Sequence, residues 1–317
     1  MIIHQGQYDL ITSKNLNLDV VECLDVYDHL DGFDLHLNNA LLKSLQEQDF
    51  KKPINVQYTF EDELYAKYPE LDLRFSFSME YETIFQHFHS YNVHPLLNIR
   101  NFLCSFNGSP HVSRQLLTNI LKHYDVFDTK YCTKNFNISY EQVIEQLNSL
   151  DLTDDEIKLY RKFFTVSKEF CNSEYTFKYE RFNHVNNIYN LENIITESFV
   201  HLVSETMATS YHPFITEKFL YSVVTRGLFV TYGQPLWHQH LEKFYGFKLY
   251  TNVFDYSFDK EINPVKRLIK LIEMLLKFKT LSNDDLCDLY QLESETIEYN
   301  HEHYFSKQYQ THVNELR

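Results

Sequence analysis

Two short segments of the chain combine residue types that bind phosphate and sugar hydroxyls. The first is Asn107-Gly108-Ser109-Pro110-His111, which follows the apolar run FLCSF and precedes a helical pattern with Arg114 in its early turns. Backbone N–H groups at the start of such a helix, together with Ser109 and Arg114, could hold a diphosphate. The same residues also make an ordinary turn before a helix, so the spacing leaves both interpretations open.

The second segment brings two carboxylates and a lysine to one junction. Ser204-Glu205-Thr206 ends an apolar run, and Tyr211-His212-Pro213-Phe214-Ile215-Thr216-Glu217-Lys218 opens the next helical pattern. Glu217 could accept hydrogen bonds from ribose hydroxyls, and Lys218 could neutralise a phosphate. Thr216 and Glu217 are also favourable residues for the first turn of any helix. Helix patterning alone therefore favours a purely structural interpretation of this segment.

Both segments lie where strands give way to helices. The first part of the chain has strand-like runs near residues 2, 18, 54 and 71 and a helical pattern from Asn38. The second part alternates strands and helices from Asn101 onward, including a strand over residues 129–136, a helical segment from Tyr140 and a helix from Phe214. This alternation predicts an α/β fold with a parallel, doubly wound sheet. In such a sheet the loops after the strands meet at one edge, so the two segments would lie close together. We place a domain boundary near Asn98. Residues 1–97 would form an α/β domain, residues 98–281 a second α/β domain and residues 282–317 a helical tail.

The composition restricts the classes of function. The chain has 317 residues, a formal net charge of −15, 24 Tyr and 26 Phe, with few Gly and Pro. This acidic balance lacks the basic footprint of a nonspecific nucleic-acid binder, although a local basic groove is compatible with it. No apolar run approaches the roughly 20 residues that span a bilayer, and the first residues lack a signal-peptide pattern. We therefore expect a cytoplasmic protein without a membrane span.

Cysteine and histidine spacing does not indicate a metal centre. The five cysteines are scattered, which is typical of reduced thiols. His87 with His89 and His238 with His240 form only pairs without an assured third ligand, so we predict no metal. For Trp237, the only tryptophan, stacking on a ligand and a place in the core both stay open.

Two resemblances favour a functional interpretation of the segments. The stretch from Ser204 to Gly233 resembles the donor-site signature of α1,3-fucosyltransferase-like enzymes, with the core Ile215-Thr216-Glu217-Lys218 intact and Glu205-Thr206 where those enzymes have Asn-Ser. The chain also resembles small glycosyltransferases of tailed phages. That likeness rests on Asn107, Pro110, His111 and Arg114, and on Gly233-Gln234-Pro235, Tyr245-Gly246-Phe247, Phe254-Asp255-Tyr256 and Pro264-Val265-Lys266-Arg267. It covers residues 98–275.

The resemblance implies a GT-B architecture, in which two Rossmann-like domains face a cleft and C-terminal helices pack across. Residues 98–281 would bind a nucleotide-sugar, UDP-, GDP- or another, without a required cofactor. The implied donor-binding residues are Asn107, Gly108, Ser109, His111, Arg114, Tyr211, Thr216, Glu217 and Lys218. Glu205 would face the sugar. The catalytic base would come from the N-terminal lobe, where we favour Asp28 and Asp31. Spacing does not separate these two from the other candidates, Asp25, His29, Glu80 and Glu82.

The function implied is hexosyl or pentosyl transfer to an acceptor hydroxyl. The acceptor would be either a glycan or a hydroxymethylated pyrimidine in phage DNA, the second being a DNA modification in the host cytoplasm. The acidic charge favours the glycan, whereas the phage-type resemblance keeps DNA open because a flipped base needs only a local basic channel. The alternative is a noncatalytic interaction protein built on a degenerate transferase fold.

Overall fold

The protein contains two parallel β-sheets with helices packed around them. The computed structural model describes residues 2–4, 17–27, 35–57, 68–76, 88, 91, 98–108, 111–134, 139, 141, 154–155, 158, 161, 184–205, 208 and 215–306. Several candidate site residues lie outside these ranges: Asp28, His29, Asp31, Glu80, Glu82, Ser109 and Tyr211. Most of the helical segment predicted from Tyr140 also lies outside them. The described residues form a mixed α/β fold, which confirms the class predicted from the sequence.

The first sheet consists of four short strands in the order β1-β2-β3-β4. They are β1 (Ile2–His4), β2 (Leu24–Tyr27), β3 (Ile54–Gln57) and β4 (Leu73–Ser76), and each pairs in parallel with the next. Helix α1 (Leu35–Glu47) connects β2 to β3 and buries Leu41, Leu42 and Leu45 in the same apolar cluster as Leu24 and Ile54. The apolar runs near these strands predicted them correctly.

The second sheet has the order β5-β6-β7, again with parallel neighbours. Its strands are β5 (Asn101–Cys104), β6 (Ser198–Ser204) and β7 (Leu228–Tyr232). Every residue of β6 and β7 is buried, as expected for parallel strands covered on both faces. A large apolar cluster surrounds this sheet and is separate from that of the first sheet.

Helices connect and cover the second sheet. α2 (Val112–His123) follows β5, α3 (His184–Thr196) precedes β6, a 3₁₀ turn (Glu217–Phe219) continues into α4 (Leu220–Val224), and α5 (Trp237–Tyr245) follows β7. After a second 3₁₀ turn (Tyr256–Lys260) come α6 (Pro264–Leu276), α7 (Asn283–Leu292) and α8 (Ser294–Phe305). Leu268, Leu286 and Tyr304, from α6, α7 and α8 respectively, all join the cluster around the second sheet. Within the described residues no helix has the length and apolarity needed to cross a membrane.

The strand order changes direction between β5 and β6, although the two strands are parallel. An isolated parallel bridge joins Ser105 to Cys132, and because β6 occupies one edge of β5, Cys132 lies at the other edge. The chain therefore runs from β5 to one side and returns to β6 on the opposite side. In doubly wound sheets, ligands bind in the crevice outside the carboxyl ends of the strands at such a topological switch point. In this protein the residues after β5 and β6 form that edge.

Some elements differ from the sequence prediction. Within its described residues, 129–134, the strand predicted over residues 129–136 is reduced to isolated bridge positions at Cys132 and Lys134. The helix predicted from Phe214 is a 3₁₀ turn followed by five α-helical residues. Helices α3 and α5 were not predicted. The buried residues of α3, Ile188, Leu191, Ile194 and Ile195, have helical spacing that could have indicated it.

Candidate functional site

The carboxyl ends of β5 and β6 carry buried polar side chains at the switch point. Ser105 and Asn107 follow β5, and Ser204 and Glu205 end β6; all four are 1 % exposed or less. Polar groups rarely stay buried without hydrogen bonds because leaving water costs free energy. Their partners therefore show how this edge of the sheet is organised.

Glu205 holds the start of the 3₁₀ turn. Its Oε1 accepts a hydrogen bond from the backbone N–H of Thr216 at 3.0 Å, and its Oε2 accepts one from Thr216 Oγ1 at 2.7 Å. Lys218 Nζ lies 2.7 Å from Thr216 Oγ1 and 3.5 Å from Glu205 Oε2, and its side chain is 21 % exposed. The carboxylate thus fixes a lysine at the mouth of the crevice.

Helix α2 begins at the same edge of the sheet and carries the cation Arg114 in its first turn. His111 is its N-cap, with extended backbone angles (φ −115°, ψ 144°) and no capping hydrogen bond from its side chain, and the first turn contains no acidic residue. Arg114, in that first turn, is 4 % exposed. The first N–H groups of a helix have no intrahelical partner and carry the positive end of its dipole, so this terminus favours an anion.

Charges from both predicted segments act on His111. Burial, followed by the positive charges of Arg114 and Lys218, lowers the pKa of His111 to about 4. Arg114 comes from the turn after β5 and Lys218 from the turn after β6. Thr216, Lys218 and the carboxylate of Glu205 are in direct contact, and Arg114 and Lys218 both influence His111.

Asn107 is held by a relay of hydrogen bonds. Its backbone N–H donates to Thr133 Oγ1 at 3.0 Å, and its Nδ2 donates to Ser105 Oγ at 3.2 Å. Ser105 Oγ in turn donates to the carbonyl of Leu202 in β6 at 2.9 Å. Because the Ser105 hydroxyl proton is committed to that carbonyl, its oxygen accepts from Nδ2, and this fixes which way the Asn107 amide faces.

Gly108 and Glu217 lie nearer the surface. Gly108 is exposed, and a Cβ built on it would meet no atom within 4 Å. Glu217 opens the 3₁₀ turn and is half-buried.

Arg267 supports this edge of the sheet and was not predicted as a site residue. Arg267 is 1 % exposed, and its guanidinium donates to four backbone carbonyls: Nε to Gly233 at 3.0 Å, Nη1 to Glu261 at 2.5 Å and Ile262 at 3.0 Å, and Nη2 to Ala208. It ties the turn after β7 to the segment between β6 and the 3₁₀ turn. The motif Pro264-Val265-Lys266-Arg267 was the signal for it.

The residues after β7 serve the core. Trp237 is fully buried, edge-on to Phe219, which settles its place in the core. His238 uses both ring nitrogens within the protein, with Nδ1 2.9 Å from Asp259 Oδ1 and Nε2 accepting the backbone N–H of Thr231 at 3.0 Å. Among the described residues no group of three or more His, Cys, Asp or Glu side chains is placed to hold a metal ion.

Comparison of the chain with protein-family models, curated proteins and solved structures finds no match. The chemistry of the site therefore rests on its geometry. A helix N-terminus, Arg114 and Lys218 converge beside a polar crevice at the switch point of a parallel sheet. This arrangement is suited to a ligand with one anionic part and one neutral polar part.

Proposed function

We propose that this protein is a glycosyltransferase that uses a nucleotide-sugar. The observation that carries the proposal is the position of Lys218, held against Thr216 and Glu205 after β6 and near enough to the start of α2 to act with Arg114 on His111. Two cations and a helix N-terminus match the charge of a nucleoside diphosphate, and their place at the switch point matches where doubly wound sheets bind nucleotides. The resemblance of residues 98–275 to glycosyltransferases supports the same ligand.

The two parallel sheets support a GT-B arrangement for this function. Each sheet has its own apolar cluster, as expected of two Rossmann-like lobes. The second sheet, in residues 98–281, would bind the donor. The first, in residues 1–97, would face the acceptor and supply the base, for which Asp28 and Asp31 stay candidates.

Transfer requires the bond between the anomeric carbon and the diphosphate oxygen to break. The bonding electron pair leaves with the diphosphate while the acceptor hydroxyl loses its proton and attacks the sugar. Arg114, Lys218 and the dipole of α2 would stabilise the negative charge that grows on the departing oxygen. Glu217 would accept hydrogen bonds from the ribose hydroxyls.

We assign Glu205 a positioning role in place of the catalytic role expected from the sequence. It is fully buried, and both oxygens already accept hydrogen bonds from Thr216, with Lys218 alongside. A carboxylate committed in this way acts through Lys218. The acceptor stays open between a glycan, which the net charge of −15 favours, and a hydroxymethylated pyrimidine in DNA, which the phage-type resemblance favours.

A binding experiment tests the proposal. Melting temperatures would be measured with pyrophosphate and with UDP, GDP, CMP, dTDP and their sugars, for wild type and Lys218→Gln. We expect one nucleotide family to stabilise the wild type and Lys218→Gln to lose most of the shift, because ligand binding to the folded state raises its stability. The matched control is Lys270→Gln, a lysine paired with Glu261 at the surface.

The outcomes separate the two classes of function. Release of free nucleotide from the stabilising nucleotide-sugar, supported by wild type and slowed in Lys218→Gln, would establish transferase chemistry. Absence of any shift with every nucleotide would reject the proposal in favour of a noncatalytic interaction protein.

A further inference from the structure

Two buried oxygen atoms at the switch point have no hydrogen-bond partner among the described residues. They are Asn107 Oδ1 and Ser204 Oγ, in side chains that are 0 % and 1 % exposed. A buried polar atom without a partner costs roughly 1–3 kcal/mol. Such an atom at the mouth of a crevice therefore indicates a group that the bound ligand supplies.

The two side chains belong to the same edge of the sheet. Strands β5 and β6 end at Cys104 and Ser204, and the last printed pair of their register is Cys104 with His201. Asn107 Nδ2 donates to Ser105 Oγ, which donates to the carbonyl of Leu202, two residues before Ser204. The relay through Ser105 already occupies Asn107 Nδ2, which leaves Oδ1 as the free acceptor.

The chemistry of these atoms selects a neutral group. An amide oxygen only accepts hydrogen bonds, and so do the oxygens of an ionised phosphate, so Asn107 Oδ1 cannot be satisfied by a diphosphate. A sugar hydroxyl can donate to Asn107 Oδ1, and a neighbouring hydroxyl can exchange a hydrogen bond with Ser204. The anionic part of the ligand has its own partners in Arg114 and Lys218.

We propose that Asn107 and Ser204 form a hydroxyl-binding subsite, which receives the sugar or the ribose of the ligand while the phosphates lie against Arg114 and Lys218. This inference rests on the proposed function for the identity of the phosphate-bearing ligand. It fixes the direction in which the donor lies across the carboxyl edge of the sheet. It also makes Asn107 a residue for specificity, because a ligand without the hydroxyl leaves Oδ1 buried and unsatisfied.

The test compares three probes by isothermal titration: pyrophosphate, the nucleoside diphosphate that stabilises the protein, and its sugar conjugate. For Asn107→Ala we expect roughly tenfold weaker binding of a hydroxyl-bearing probe, the effect of one lost hydrogen bond, and unchanged binding of pyrophosphate. If Asn107→Ala loses equal affinity for the nucleoside diphosphate and for its sugar conjugate, the ribose is the occupant. Loss for the conjugate alone identifies the sugar.

Two further variants keep the test independent of folding. Asn119→Ala removes another buried asparagine with an unpartnered amide atom, in the middle of α2, and should bind all three probes as wild type does. Ser204→Ala removes a buried hydroxyl without a partner, so it should not lower the melting temperature while it weakens the hydroxyl-bearing probes.

Other results would overturn the subsite. Equal weakening of pyrophosphate binding in Asn107→Ala would show a general structural effect, and no weakening of any probe would show that Asn107 contacts no ligand. A crystal structure of the complex with a water still bridging Asn107 and Ser204 would assign both oxygens to buried water only. If wild type binds the nucleoside diphosphate and the subsite fails, the proposed function stands; if wild type binds no nucleotide, both fall.

Discussion

Thr216 Oγ1 lies 2.7 Å from Glu205 Oε2 and 2.7 Å from Lys218 Nζ. The hydroxyl donates its proton to the carboxylate and accepts from the ammonium group, so it joins two opposite charges that are themselves 3.5 Å apart. Its backbone N–H also donates to the same carboxylate. One small side chain thus determines where the lysine at the crevice points.

Replacing Thr216 with Val keeps the shape and removes the hydroxyl. We expect a loss of about 1–3 kcal/mol in the free energy of unfolding, because Glu205 Oε2 stays buried with only Lys218 nearby. Pyrophosphate binding should weaken as well, since Lys218 loses its closest contact. Urea unfolding and titration measure the two effects. Thr216→Ser is the control and should keep most of the free energy of unfolding and of the pyrophosphate affinity. Equal losses of these two quantities in Thr216→Val and Thr216→Ser would contradict the role of the hydroxyl.

Two histidines should make stability fall in mild acid. Burial lowers the pKa of His201 to about 3, and burial with Arg114 and Lys218 lowers that of His111 to about 4, from an ordinary value of 6.5. Below pH 6.5 the unfolded chain therefore takes up protons that the folded protein does not. Stability is complete above pH 6.5 and is lost as the pH falls towards 4, by at most about 1.4 kcal/mol per pH unit for each histidine.

Urea unfolding between pH 7 and pH 4.5 measures this slope. His111→Gln should reduce it by the contribution of one histidine, and His201→Gln by the other. A slope unchanged in His111→Gln would show that the imidazole titrates normally, and would remove the argument that Arg114 and Lys218 act on it.

A matched pair of glycine substitutions separates packing from open space. A Cβ at Gly233 would lie 2.6 Å from Cδ1 and 2.9 Å from Cγ of Trp237, whose indole is fully buried. Gly233→Ala should therefore lower the free energy of unfolding by about 1–3 kcal/mol. Gly108→Ala, which meets no atom within 4 Å, should change it by less than about 0.5 kcal/mol. Similar effects in a denaturant titration would contradict the packing at Trp237.

The strands and the place where the segments meet could be predicted because their signals are local. Apolar runs fix β5, β6 and β7, and parallel strands necessarily bring the turns after them to one edge. The prediction that the turn at Asn107 and the turn at Lys218 would approach each other followed from that rule alone. The spacing of Ile188, Leu191 and Ile194 is helical and could have predicted α3. The segment also contains many asparagines, which are weak helix formers and argue against a helix.

The burial of Glu205 could not be predicted in the same way. Its partner Thr216 lies 11 positions away, and only the folded turn shows that both oxygens are occupied. Helix α5 is a similar case. It starts after Leu236, which has a left-handed backbone conformation (φ 62°) and donates its N–H to the carbonyl of Asp259. Such a conformation is unfavourable for leucine by itself, so tertiary contacts determine it.

Arg267 has a mechanical consequence for the crevice. One rigid guanidinium holds the carbonyls of Ala208, Gly233, Glu261 and Ile262, the first of which is 59 residues away in the chain. Because these turns are bonded to the same guanidinium, displacing one of them strains the hydrogen bonds of the others. A ligand that pushes on the connection after β6 therefore transmits that push to the start of α6 through one side chain, without any movement of the sheet between them.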